Sequence, residues 1–148
     1  MNSHLTVSII MIEDDEGHAR LIEKNIRRAG IANDITHFTD GTSALAYLFN
    51  APDGPALNGP ALVLLDLNLP DMSGIDILTR IKSDDVLRRT PVVVLTTTDD
   101  KIEIQRCYDL GCNVYITKPV DYDSFAQAIR QLGLFLSVIQ VPDVEGDA

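Results

Sequence analysis

The chain predicts an α/β fold, an open doubly wound sheet of five parallel strands with helices on both faces. Three observations lead there. Five short apolar runs alternate with five helix-like segments, and such alternation implies a parallel sheet joined by right-handed crossovers. The runs read as buried strands. Four of them end in residue types that carry chemistry: carboxylates twice, then a hydroxyl and a lysine.

The first strand, Ser8 to Met11, runs apolar into Glu13, Asp14 and Asp15. Ala19, Ile22, Ile26 and Ala29 then recur at helical spacing, and Gly30 supplies a C-terminal stop. A short strand, Ile35 to Phe38, is followed by a turn at Asp40-Gly41 and a helix from Thr42 to Phe49. Ala51 to Pro60 is rich in Pro, Gly and Asn, which favours a long surface loop. The third strand, Ala61 to Leu65, ends in Asp66, and the helix from Ser73 to Ser83 aligns Ile75, Leu78 and Ile81 on one face. Val92 to Leu95 ends in Thr96, and the fourth helix, Lys101 to Leu110, stops at Gly111. Val114 to Ile116 leads to Lys118-Pro119. Asp121 is an N-cap for a fifth helix with the stripe Phe125, Ile129, Leu132 and Leu136.

Composition excludes several classes. The 148 residues suffice for one domain, and no run approaches the roughly 18–20 apolar residues of a membrane span. No secretory leader is expected, which makes the protein cytoplasmic. A net charge of −10 argues against holding nucleic acid by phosphate neutralisation. The basic pairs Arg27-Arg28 and Arg88-Arg89 read as solvated helix faces or ends. Cys107 and Cys112 form no metal pair; one is expected in the core of a helix and the other in the turn after it. His4, His18 and His37 are too scattered for a His-ligated metal or a His general base.

The strand ends carry the chemistry. In the flavodoxin-like order 2-1-3-4-5 the first and third strands are neighbours with ends about 4.8 Å apart, so Asp14 and Asp66 share a cavity with Glu13 beside them. Two bare carboxylates about 4 Å apart repel by roughly 4 kcal/mol at an effective dielectric near 20. A hard divalent cation relieves that repulsion, and Mg²⁺ suits carboxylate and carbonyl oxygens while keeping several waters. Asp66 then becomes a nucleophile for in-line attack on phosphorus. Thr96 can donate to one phosphoryl oxygen and Lys118 can offer a point charge to another.

In order along the chain, Glu13-Asp14, Asp66 within Asp66-Leu67-Asn68-Leu69-Pro70-Asp71-Met72-Ser73-Gly74, Thr96 five residues after Pro91, and Tyr115-Ile116-Thr117-Lys118-Pro119 resemble the receiver domain of two-component response regulators. The resemblance covers Val7 to Leu136, within a receiver domain placed at 1–136. It implies that Asp66 takes a phosphoryl group from the phosphohistidine of a sensor histidine kinase or phosphotransfer protein. Asp14, Asp66 and the Asn68 carbonyl would bind Mg²⁺, with Glu13 acting mainly through water. Asp15 would be a local turn or cap residue. Thr96 and Tyr115 would form the switch that alters the face of the fourth helix, fifth strand and fifth helix, and Lys118-Pro119 would carry a cis peptide bond. The protein would be a signalling phosphoacceptor rather than an enzyme.

Other positions are less common for receivers. Thr97 stands where many have a small alanine, which narrows access to Asp66, and Asn68 and Thr98 occupy the two positions that tune self-dephosphorylation. The Ala51 to Pro60 loop, the Thr96-Thr97-Thr98 run and the Phe135 to Pro142 extension look like the response regulators paired with bacterial phytochromes. The extension at 137–148, apolar and then acidic, predicts a homodimer contact. No output domain is expected, so signalling passes by protein contact. Two alternatives belong to other classes. An aspartate-nucleophile phosphatase or phosphotransferase of the haloacid-dehalogenase type wants an Asp where Asn68 stands, and a flavodoxin-like cofactor carrier wants a Gly/Ser/Thr phosphate cradle where Glu13 and Asp14 stand.

Overall fold

The computed structural model describes residues 7–49, 61–97, 99–118, 121–124 and 126–127. The strands are β1 (Ser8–Ile12), β2 (Ile35–Phe38), β3 (Ala61–Asp66), β4 (Val92–Thr96) and β5 (Val114–Thr117). They form one parallel sheet in the order β2-β1-β3-β4-β5. The helices are α1 (Glu16–Arg28), α2 (Gly41–Phe49), α3 (Gly74–Ser83) and α4 (Lys101–Leu110). Of the predicted fifth helix, residues 122–124 and 126–127 are helical, and Asp121 Oδ1 accepts from Ser124 N at 2.7 Å as a cap should. The long loop, the C-terminal extension, Thr98 and Pro119 lie outside the described residues.

Strand residues alternate between two cores. Ile9, Met11, Leu62, Leu64, Val93 and Leu95 pack with Ala19, Ile22 and Ile26 of α1. Ile10, Ile12, Val63, Leu65 and Val94 pack on the other face with Leu48 of α2, Ile77, Leu78 and Ile81 of α3 and Cys107 of α4. Burial on both faces is why the strands read as continuous apolar runs.

Helix ends follow local chemistry. Asp15 caps α1 by accepting from His18 N at 2.9 Å, and Gly30, at φ +87, takes the left-handed conformation that ends it. Ser73 caps α3 through Ile75 N at 3.1 Å, so it precedes that helix. Asp66 and Thr96 are the last residues of their strands, because each still pairs across the sheet, with Leu95 and Thr117 respectively. Gly41 opens α2 where the sequence placed a turn. The chain contacts Met72 so closely there that a Cβ on Gly41 would lie 2.5 Å from Met72 Cγ.

A short 3-10 helix, Leu87–Arg89, was not expected; Asp84 Oδ2 starts it by accepting from Val86 N at 2.9 Å and Leu87 N at 2.8 Å. Arg27 is more than a solvated helix end, donating to the Ile31 and Asn33 carbonyls at 3.0 and 2.8 Å. Arg28 stacks 3.8 Å from the centre of the Tyr122 ring. Cys107 and Cys112 are both buried and free, and burial pushes the Cys112 thiol up to about 12. Among the described residues no helix is long and apolar enough to cross a membrane.

Candidate functional site

Strand order reverses between β1 and β3, and the register there pairs Ile12 with Leu65. The next residues, Glu13 just past β1 and Asp66 closing β3, therefore stand side by side at the switch point where open α/β sheets bind ligands. β4 contributes Thr96 and β5 leads to Lys118, whose backbone N donates to Thr96 O at 2.7 Å. Glu13, Asp66, Thr96 and Lys118 are all buried, while Asp14 is exposed at the mouth.

Lys118 Nζ lies 2.6 Å from Glu13 Oε1 and 3.3 Å from Asp66 Oδ2. Asn68 N donates to Asp66 Oδ1 at 3.1 Å, and Asn68 Nδ2 to Thr96 Oγ1 at 3.4 Å. Burial pushes the Asp66 carboxyl above its ordinary range, and the neighbouring Glu13 charge adds to that; the Asn68 N–H and Lys118 pull the other way without cancelling it.

Carboxyl oxygens of Glu13, Asp14 and Asp66 lie within 4.8 Å of one another. Three carboxylates thus gather here, and Lys118 approaches two of them, Glu13 and Asp66. Glu13 Oε1, although close to Nζ, has no aligned hydrogen-bond donor. All-oxygen donors, surplus negative charge and an unaligned buried acceptor fit a hard divalent cation. The mouth is a groove of about 550 Å³ lined in part by Asp14, Asn68, Pro70 and Asp71. Gly74 lets α3 start against the strand end: a Cβ there would collide with Asp66 O and lie 2.6 Å from Leu67 Cα.

The sequence-predicted residues Glu13, Asp14, Asp66, Asn68, Thr96 and Lys118 thus come together. Tyr115 stands further along, half-buried against the core on the α2–α4 side, with its backbone N donating to Tyr108 Oη at 3.2 Å. Thr97 is exposed. Two histidines that the sequence left aside lie against the site. His37 Nε2 is 2.7 Å from the Glu13 carbonyl and His18 Nδ1 is 3.4 Å from Lys118 Nζ. Neither belongs to a spacing motif, because each reaches the site from a different element.

Comparison with known proteins agrees with this geometry. The family model of the response regulator receiver domain matches residues 9–130. The chain belongs to that family. A receiver domain structure from Rhodospirillum rubrum is 68% identical, covering 93% of this chain and 98% of its own, with a TM-score of 0.73. Response regulator Rcp1 of Synechocystis is 31% identical over 90% of this chain and 92% of its own length. The bacteriophytochrome response regulator AtBRR is 35% identical, covering 88% of this chain and 94% of its own, with a TM-score of 0.73. This receiver accordingly has the phosphoacceptor role of its family in two-component signalling, and its acidic cluster is of the kind that takes a divalent metal.

Proposed function

We propose that Asp66 is the phosphoacceptor and that Mg²⁺ is the cation held by Asp14, Asp66 and the Asn68 carbonyl, with Glu13 acting mainly through water. The observation that carries this reading is the buried Asp66 carboxylate, 3.3 Å from Lys118 Nζ and within 4.8 Å of the other two acids. A solved form of Rcp1 holds Mn²⁺, which supports a divalent ion in this chain too. Bound Mg²⁺ supplies positive charge where phosphoryl oxygens gather.

An Asp66 oxygen attacks phosphorus in line; the P–N bond of the donor phosphohistidine breaks, the P–O bond to Asp66 forms, and the imidazole leaves with its electron pair and takes up a proton. Lys118 turns one N–H toward a phosphoryl oxygen, and Thr96 donates its hydroxyl to another. Thr96 and Tyr115 form the switch, which alters the surface around α4 and β5 for a protein partner. The donor is a sensor histidine kinase or phosphotransfer protein, and the names of AtBRR and other phytochrome response regulators among the relatives support a bacteriophytochrome. Two receivers at 1–136 pair through their 137–148 extensions in the cytoplasm. The protein assists its own phosphorylation and dephosphorylation without turning over external substrates, since Asn68 stands where a phosphatase acid/base would be.

Intact mass after incubation with acetyl phosphate tests the acceptor. Wild type gains one phosphoryl group only with Mg²⁺, and Asp66→Asn gains none. Labelling of Asp66→Asn equal to wild type would refute the assignment, and sustained phosphate release from many small esters would favour the phosphatase reading.

A further inference from the structure

Asp71 is exposed on the loop between β3 and α3, yet it makes three hydrogen bonds to a distant helix start. Its Oδ1 accepts from Gly41 N at 2.9 Å, and its Oδ2 accepts from Thr42 N at 2.8 Å and from Thr42 Oγ1 at 2.5 Å. These donors hold its carboxyl down at about 2. The first N–H groups of a helix have no partner within it. In α2 two aspartates share them: Asp40 takes Ser43 N at 2.7 Å with Oδ1, and Asp71 takes Gly41 and Thr42 from about thirty residues away. The contact is sterically closed as well, since Gly41 leaves no space for a Cβ beside Met72.

The loop is tied at its base by Gly74 N donating to Leu67 O at 2.8 Å and by the bridge between Asn68 and Ser73. Nothing in those ties fixes its tilt relative to the β1 side of the site. α2 can do so, because it follows β2, and β2 pairs with β1, which delivers Glu13 and Asp14. Asp71 thereby connects the two halves of the acidic cluster across the groove mouth.

We propose that Asp71 is a positioning residue that holds the Asn68 loop at the right distance from Asp14 for the divalent cation. This rests on the Mg²⁺ reading above. Residues behind the direct ligands of a metal alter its affinity by about 10–100-fold when removed.

Titration calorimetry of the full chain with MgCl₂ tests it on wild type, Asp71→Ala and Asp71→Asn, with melting curves alongside. Asp71→Ala should bind Mg²⁺ about 10-fold more weakly. Asp71→Asn, which keeps one acceptor oxygen, should fall between it and wild type. The acetyl phosphate labelling rate of Asp71→Ala should return to the wild-type value at saturating Mg²⁺, which a merely structural defect would not allow. Wild type and both variants binding Mg²⁺ equally, whatever their melting points, overturns this inference alone. Wild type that binds no Mg²⁺ overturns the metal reading and this inference with it.

Discussion

At the amino-terminal edge of the sheet, polar side chains close on backbone groups. Asn33 Nδ2 donates to Val7 O at 2.6 Å, Val92 N donates to Asn113 Oδ1 at 2.9 Å, and Lys82 Nζ holds the Arg88 and Thr90 carbonyls at 3.1 and 2.6 Å. At the carboxyl-terminal edge, buried charges face one another instead. Glu13 and Asp66 share Lys118, with Asp14 beside them and Glu13 Oε1 lacking an aligned donor. The first edge is satisfied by hydrogen bonds to backbone groups within the protein. The second has more negative charge than its lysine balances, so its energy depends on what else arrives. One end of the sheet anchors the fold while the other is held ready for a cation and a phosphoryl group.

Variants can break this contrast. The largest effect belongs to Lys118→Met, which leaves two buried carboxylates without their cation; chemical denaturation of metal-free protein should register a loss of about 3–5 kcal/mol, partly restored by Mg²⁺. Asn113→Ala, at the opposite edge, strands the Val92 N–H and should cost about 1–3 kcal/mol. Its loss should be the same with and without Mg²⁺, and a Mg²⁺-dependent loss would erase the distinction between the edges. Ser73→Ala removes the α3 cap at the site edge and should cost about 1 kcal/mol, again without Mg²⁺ dependence, because the contrast lies in charge rather than in location.

Asp66→Asn should act in the opposite direction. The folded-state pKa of Asp66 is raised. Its stabilising contribution is therefore fully present below the unfolded value of about 3.9 and is lost as pH rises through the folded value. At neutral pH the buried Asp66 carboxyl, whose ionisation burial disfavours, costs stability in metal-free protein. Asp66→Asn should then melt above wild type at pH 7, with the gap closing as pH falls below about 4. A gap that widens toward acid would contradict the burial argument.

Much of the site was legible because parallel strands align their ends. A residue that follows an apolar run lands at the same edge whichever strand carries it, so Glu13, Asp66, Thr96 and Lys118 could be grouped before any distance was known. Asp71, His18 and His37 could not. Asp71 stood inside a quoted motif without a role, since its partners are about thirty residues away, and no local periodicity encodes that separation. The 3-10 helix escaped for a different reason: its start is a local one, but Asp84 reads as an ordinary loop carboxylate until its acceptance from Val86 and Leu87, two and three residues on, is seen.

The sequence by itself determined the α/β alternation, the helix stops and the identity of the acidic cluster, because apolar periodicity and chain connectivity leave few alternatives. The strand order 2-1-3-4-5 follows the flavodoxin-like pattern rather than periodicity, and the sheet bears it out. Only the tertiary structure decided how charge is shared within that cluster. Which carboxylate Lys118 approaches, how burial raises Asp66 and how Asp71 braces the loop on α2 depend on distances of a few ångströms between elements that are remote in sequence. Electrostatic energy varies with those distances and with burial, and neither is written in the order of the residues.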